Sequence, residues 1–188
     1  MPFTLNAKNC TFILIDVQDS LFRFVHDNKT IEMNIKLLLR LRAILNIPII
    51  VTTQNALKLG TTLPSLAKLL PSGQKEWDKL VFSCLKVPGV KEEIKELNKK
   101  TVVLFGIEAH ICVYQTAIHA LTEKYDVVVV TDAVSSRTLE NKKTVLYQLH
   151  ESGVNLLSTE MVIYELLEKA GTPDFRAMLP FLKDPMTA

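Results

Sequence analysis

A cysteine that follows a β-branched run by a few residues is the part of this sequence best suited to chemistry. The run at 102–105 leads into Gly106, Ile107, Glu108, Ala109, His110, Ile111 and Cys112, and a helical pattern begins near the cysteine. A thiol in the first turn of a helix lies among unpaired backbone N–H groups at the positive end of the helix dipole, and both favour the thiolate. Cys112 is therefore placed as a nucleophile would be, although a cysteine buried in an apolar core is commonly inert. His110 does not complete a Cys–His dyad, because residues two apart on a turn or helix do not face each other. Asp16 is the second candidate. It ends the run at 12–15, which a parallel sheet buries on both faces, and a carboxylate there is costly unless something compensates it. A cap, an ion pair or a reactive site would each supply that compensation. Thr52, Thr53 and Gln54 end another run and read as crevice lining or as partners of loop backbone. Asp132, Ser135 and Ser136 follow the run at 127–130 and read most simply as capping residues. His26 lies in the loop after the first strand, and no two of the four histidines have the HxxxH spacing of a helical zinc site, so neither a metal nor another cofactor is expected.

These positions need a scaffold, and the pattern around them supplies one. Short β-branched runs at 11–15, 48–52, 101–105 and 127–131 read as strands. Between them apolar residues recur three or four apart: Ile31, Ile35, Leu38, Leu41 and Leu45 in one segment, Val113, Ala117, Ala120 and Leu121 in another. Further strands are expected at 80–82 and 155–157, and helices near 89–98, 138–151 and 160–170. Strands alternating with amphipathic helices imply an α/β fold, a three-layer α/β/α sandwich with a mainly parallel, Rossmann-like sheet. Ligands of such sheets bind beyond the carboxyl ends of the strands, where Asp16, Gln54 and Cys112 would lie.

The chain of 188 residues is 48% hydrophobic and 22% charged, without repeats or linker-like tracts, which suits a single domain over 1–188. Its net charge of +2 offers no concentrated basic surface, so nucleic acid is not an expected partner. No apolar run approaches the roughly 20 residues that span a bilayer. Residues 1–10 do not read as a secretion signal, so a cytoplasmic address without a membrane partner is expected. Cys10, Cys84 and Cys112 are odd in number and lack CxxC spacing, which suggests neither a disulfide framework nor a cysteine zinc site. Cys10 and Cys84 read as structural.

Four segments together resemble a known family: FILIDVQDS at 12–20, KLVFS at 79–83, GIEAHICVYQTAIHAL at 106–121 and VVVVTDAVSSR at 127–137. The chain resembles the isochorismatase-like cysteine hydrolases, in their isochorismatase-domain-containing subgroup, over about residues 8–183. The resemblance implies a catalytic triad of Asp16, Lys79 and Cys112, although Lys79 would otherwise pass for a surface lysine. It implies that Cys112 attacks an amide-like carbonyl while Asp16 moves the proton and Lys79 helps to stabilise the thiolate. A non-proline cis peptide is implied between Glu108 and Ala109, with the backbone N–H groups of Ala109 and Cys112 as oxyanion donors. Gln18 and Asp132 would give support to the site, and Gln54, Glu108 and His110 would line it or back it. Nicotinamidases of the superfamily bind a metal through an Asp-x-His pair and a further His after the second strand. The segment 52–60 has neither Asp nor His, so that metal-dependent chemistry is not expected. Isochorismate hydrolysis cleaves a vinyl ether without a cysteine nucleophile, so Cys112 favours an amide, carbamoyl or related acyl substrate of small size. The resemblance also implies a homo-oligomer, with the apolar segment 175–182 packing on a neighbour. A non-catalytic ligand-binding or scaffold protein on the same fold is the alternative.

Overall fold

The structure is a computed structural model that describes residues 3–184. Six strands form one sheet: β1 (Cys10–Ile15), β2 (Ile49–Gln54), β3 (Glu76–Lys79), β4 (Thr101–Ile107), β5 (Asp126–Ser135) and β6 (Asn155–Leu157). Their spatial order is β3-β2-β1-β4-β5-β6, and every neighbouring pair is parallel. The helices are α1 (Asp19–Phe22), α2 (Asn28–Leu45), α3 (Ala56–Leu59), α4 (Pro64–Ala67), α5 (Pro88–Leu97), α6 (Tyr114–Thr122), α7 (Leu139–Glu151), α8 (Thr159–Leu167) and α9 (Pro173–Lys183). Among the described residues no helix is long and apolar enough to cross a membrane.

The unbroken apolar runs of β1 and β4 follow from their central place, since each strand is covered on both faces. Successive side chains alternate between the faces. Phe12, Leu14, Val103 and Phe105 pack with Ile35 and Leu38 of α2, Val162 of α8 and Met178 of α9, while Ile13, Ile15, Val102 and Leu104 pack with Ile94 of α5, Ala117 of α6 and Leu149 of α7. This is the expected three-layer α/β/α sandwich.

Two local expectations change. The strand expected at 80–82 lies earlier, at Glu76–Lys79, and Leu80 and Phe82 stand 74% and 50% exposed in the bend after it. An apolar triplet marked solvent-facing residues there, while the paired segment is polar because it is an edge strand. Its Trp77 is fixed by a hydrogen bond from Nε1 to Glu93 Oε2 at 2.6 Å, and the ring is so close to Gly89 that a Cβ there would sit 2.1 Å from it. Strands β2 and β5 run past their expected ends, bringing Gln54 and Ser135 into the ladders. The C-terminal segment packs within the chain: Met178 is fully buried, and Phe181 lies under the Arg40 guanidinium of α2, 4.9 Å from ring centroid to carbon.

Gly106 allows β4 to pass β1 beside Asp16. It has φ +119, and a Cβ would fall 2.2 Å from the carbonyl oxygen of Ile15. Gly106→Ala combines backbone strain with overlap against main chain, so a loss of about 3 kcal/mol in urea unfolding is expected. A loss below about 1 kcal/mol would show that the β1–β4 contact yields easily.

Candidate active site

Each of the three implied triad residues is delivered by a different element. Asp16 is the first residue beyond β1 and adopts φ 53, a left-handed conformation that Asp tolerates better than most side chains. Its N–H still donates to the Thr52 carbonyl at 3.1 Å, so the chain turns without leaving the sheet edge. Lys79 is the last residue of the edge strand β3, in register with Gln54. Cys112 lies on a π-helical turn, Ala109–Val113, that precedes α6.

Asp16 and Lys79 meet in a buried ion pair, Nζ to Oδ2 at 2.6 Å, with side-chain exposures of 1% and 0%. The same ammonium donates to Gln54 Oε1 at 2.7 Å and lies 3.6 Å from Cys112 Sγ. The fold thus brings Asp16, Lys79 and Cys112 into direct contact around one cation. Burial pushes the Cys112 thiol well above its ordinary 9.0; Asp16 adds to the rise by charge and by hydrogen bond, and Lys79 only partly opposes it. Burial and Asp16 thus work against the thiolate expected from a helix start, and the cation offsets them only in part. Burial works to lower Lys79, but the charges of Asp16, Cys84 and Cys112 outweigh it, leaving its pKa above the ordinary 10.5.

Two residues read as bland hold this arrangement from behind. Thr52 Oγ1 donates to Asp16 Oδ1 at 2.7 Å and also lies 3.5 Å from Cys84 Sγ. Cys84 is fully buried, its main-chain N–H bonded to Thr116 Oγ1 at 3.0 Å, and its thiol is pushed up to about 11 by burial and then by Asp16. The signal for Thr52 was the register Ile15↔Thr52, which places it beside the residue that precedes Asp16. Removing its hydroxyl leaves a buried carboxylate oxygen without its donor. Thr52→Val is expected to cost about 2 kcal/mol in denaturant unfolding, with Thr52→Ser restoring most of the loss. Equal stability of the Val variant and the parent would place the hydroxyl outside the site.

Gln18 and Gln54 form the support on the other side. Gln18 Oε1 accepts the Gln54 N–H at 2.8 Å, and its Nε2 donates to the carbonyls of Gln54 and Gly60 at 3.1 and 2.5 Å. Gln54 Nε2 donates in turn to the Leu80 carbonyl at 3.1 Å, so its Oε1 is held toward Lys79.

The remaining candidates are placed as follows. The cis peptide is Ile107–Glu108, one residue earlier than expected. Ala109 is buried at the start of the π-helical turn. His110 Nδ1 lies 2.9 Å from Ser136 Oγ, and His26 also ties to the end of β5: its N–H donates to the Ser136 carbonyl at 2.8 Å and its own carbonyl accepts from Ser135 Oγ at 2.6 Å. Asp132 sits within β5, and its Oδ1 accepts from the N–H and hydroxyl of Thr159 at 2.7 and 2.8 Å, fastening the start of α8. Its carbonyl accepts from Asn34 of α2 at 2.7 Å. The structure joins Asp132 to the helical layer and gives it no bond to the three central residues.

Beside Asp16 and Cys112 opens a cavity of about 120 Å³. Leu21, Leu59, Phe82, Ile107 and Ile111 form its apolar walls, and Asp16, Gln54, Glu108 and Cys112 its polar part. A larger cavity of about 630 Å³ lies beside Pro48 and Lys99 at the amino ends of the strands, away from these groups and at the wrong end of a parallel sheet for a ligand.

Comparison with known proteins gives consistent matches. The model of the isochorismatase domain matches residues 10–161. The Secreted isochorismatase effector Isc1 of Phytophthora sojae (strain P6497) is 39% identical over 145 residues, 75% of this chain and 69% of that protein. Isochorismatase domain-containing protein 2 of Danio rerio is 34% identical over 182 residues, 96% of this chain and 90% of that protein. The solved structure of MAR1 Ribonuclease from Caenorhabditis elegans aligns with a TM-score of 0.91 at 30% identity, covering 96% of this chain and 93% of that one.

Proposed function

The chain belongs to the isochorismatase family, and from that premise we propose that it is a cysteine hydrolase acting on a small amide, carbamoyl or related acyl compound. The observation that carries this reading is the Lys79 ammonium, 2.6 Å from an Asp16 oxygen and 3.6 Å from the Cys112 sulfur. A neutral thiol beside a carboxylate is the ground state of a general-base mechanism. Asp16 takes the thiol proton as sulfur bonds to the substrate carbonyl carbon, so the negative charge passes from the Asp16 carboxylate to the carbonyl oxygen. The backbone N–H groups of Ala109 and Cys112 are the proposed donors to that oxygen. Collapse of the adduct breaks the C–N bond, and Asp16 returns the proton to the departing amine, leaving a thioester. Asp16 then takes a proton from water, whose oxygen attacks the thioester; the acid leaves and the proton goes back to sulfur. Lys79 stays protonated throughout and balances the carboxylate.

The name of the Caenorhabditis protein brings RNA into view as a substrate. A net charge of +2, a small cavity with no basic residue in its lining, and a nearby Lys79 already engaged by Asp16 and Gln54 give that reading no support. The deciding experiment is a screen of small amides, carbamates and ureas with the parent and Cys112→Ala, together with intact-mass detection of an acylated enzyme after acid quench. Turnover lost in a folded Cys112→Ala variant supports the reading. Turnover retained there removes the cysteine mechanism, and a ligand that binds both proteins without being consumed favours the non-catalytic alternative.

We also propose a cytoplasmic homo-oligomer. Leu57, Leu80 and Phe82 stand 95%, 74% and 50% exposed, and Phe82 lines the cavity itself, so association there would cover apolar surface. A light-scattering mass of one chain would remove the oligomer. The word secreted in the Phytophthora relative's name makes cell fractionation the test of the address.

A further inference from the structure

A second carboxylate stands at the cavity, and it is held on one side only. Glu108 Oε2 accepts the Arg137 N–H at 3.2 Å and Arg137 Nε at 3.1 Å. Among the described residues no hydrogen bond reaches Oε1, and the side chain keeps 12% of its surface exposed. The neighbouring polar groups are committed. Asp16 accepts from Thr52 and Lys79, and Gln54 spends its oxygen on Lys79 and its amide nitrogen on the Leu80 carbonyl. The ammonium of Lys79 is directed at Asp16, Gln54 and Cys112, so it has no donor to offer an incoming anion. The Arg137 guanidinium is 61% exposed and is not among the groups that line the cavity. Among the charged and amide side chains that line the cavity with Cys112, Glu108 is therefore the one that keeps an oxygen without a hydrogen-bond partner among the described residues, and that oxygen is an acceptor carrying negative charge.

We infer that Glu108 determines specificity: it accepts an N–H of the substrate and turns away molecules that carry a carboxylate next to the reacting carbonyl. The substrate class is small amides that are neutral or cationic, with a compact apolar body. A volume of about 120 Å³ sets the size; it holds about four waters' worth of liquid. A like charge facing Glu108 gains no cation in return, and such juxtapositions weaken binding strongly. The substrate class rests on the hydrolase reading, whereas the selection by charge belongs to the cavity and is measurable without turnover.

The test is competitive alkylation of Cys112 by iodoacetamide and iodoacetate, two reagents of nearly equal size that react by the same displacement of iodide by the thiolate. Both compete for the same thiolate, so its ionisation cancels from the ratio of products, which peptide mass spectrometry reads. With 2-mercaptoethanol as the reference thiol at low ionic strength, Cys112 is expected to prefer the amide over the acid by about tenfold more than the reference does. Glu108→Gln keeps an oxygen for Arg137 and removes the charge, and it is expected to lose most of that excess. A ratio equal to the reference, an excess that survives Glu108→Gln, or a preference for iodoacetate through transfer of its carboxylate to Arg137 would each overturn the inference. The measurement on the parent protein stands even if the variant fails to fold. Failure of the hydrolase reading has a different signature: amide turnover that persists in Cys112→Ala, with the alkylation ratio of the parent unaffected.

Discussion

Asp16→Asn is expected to lower amide turnover by about 10²–10⁴-fold while making Cys112 easier to ionise. The two effects have one cause. The Asp16 charge is among the forces that hold the thiol proton in place, second only to burial, and Lys79 opposes it. Asn keeps the shape, tolerates the left-handed backbone at φ 53, and still offers an oxygen to Thr52. Without the negative charge the lysine acts on the sulfur less opposed, so the thiol pKa falls from its raised value. The check is the pH dependence of iodoacetamide labelling at Cys112 in both proteins, beside turnover of one amide found in the screen. In the parent, labelling climbs through and beyond pH 9.0, the ordinary thiol value; in the variant it climbs from a lower pH. A mechanism limited by thiolate supply would instead pair faster labelling with faster turnover, and that result would remove Asp16 as the base.

Lys79→Ala carries the largest expected loss of stability, about 3–5 kcal/mol, because it leaves a buried carboxylate without its partner. The side chains of Asp16 and Lys79 are 1% and 0% exposed, so water offers little compensation. Combining Lys79→Ala with Asp16→Asn removes both charges, and the double variant is expected to regain roughly 2 kcal/mol or more over the sum of the single losses. Additive losses in a urea-unfolding cycle would mean that the ion pair is not coupled. The pH dependence has a definite sign. A group whose folded pKa is raised stabilises the fold below its unfolded value, and that contribution fades as pH climbs toward the folded one. Lys79 is raised from 10.5, and the buried thiols of Cys10 and Cys84 are raised by desolvation from 9.0 to about 12 and about 11. Unfolding free energy is therefore expected to decline as pH rises above 9, with no contribution lost from these groups near neutrality. A flat profile between pH 9 and 11 would show that the thiols ionise as readily in the folded chain as in the unfolded one.

The central strands were legible because burial on both faces leaves an unbroken apolar run, as in β1 and β4. The edge strand was not. Glu76, Trp77, Asp78 and Lys79 show no apolar pattern, and the neighbouring triplet 80–82 drew the assignment although it faces solvent. The location of Cys112 could be read from the strand before it, but its ionisation could not. Desolvation depends on walls contributed by distant segments, and Asp16 lies 63 residues from the lysine that joins it to the thiol. From the sequence Thr52 reads only as crevice lining or a partner of loop backbone, because a hydroxyl at a strand end has many ordinary uses, and its bond to Asp16 shows only once the register is known. Asp132 is a further case: it neither caps the helix after β5, which Thr138 caps, nor bonds the central residues, but fastens the start of α8 through Thr159, a contact 27 residues along the chain.

The cation that joins the carboxylate to the thiol is carried by a four-residue strand that pairs with β2 alone. Such an edge opens at lower free energy than the centre of a sheet, and its excursions need not involve the rest of the molecule. An opening of β3 would carry the ammonium away from Asp16 and Cys112 while the core persisted, at the cost of the buried Asp16–Lys79 ion pair. The active fraction is then the fraction of time this strand is docked, so native-state hydrogen exchange at the amides of 76–79 becomes a clock for the chemistry. If the proposed hydrolase reading holds, warming is expected to lower turnover at temperatures where the overall fold still registers as intact.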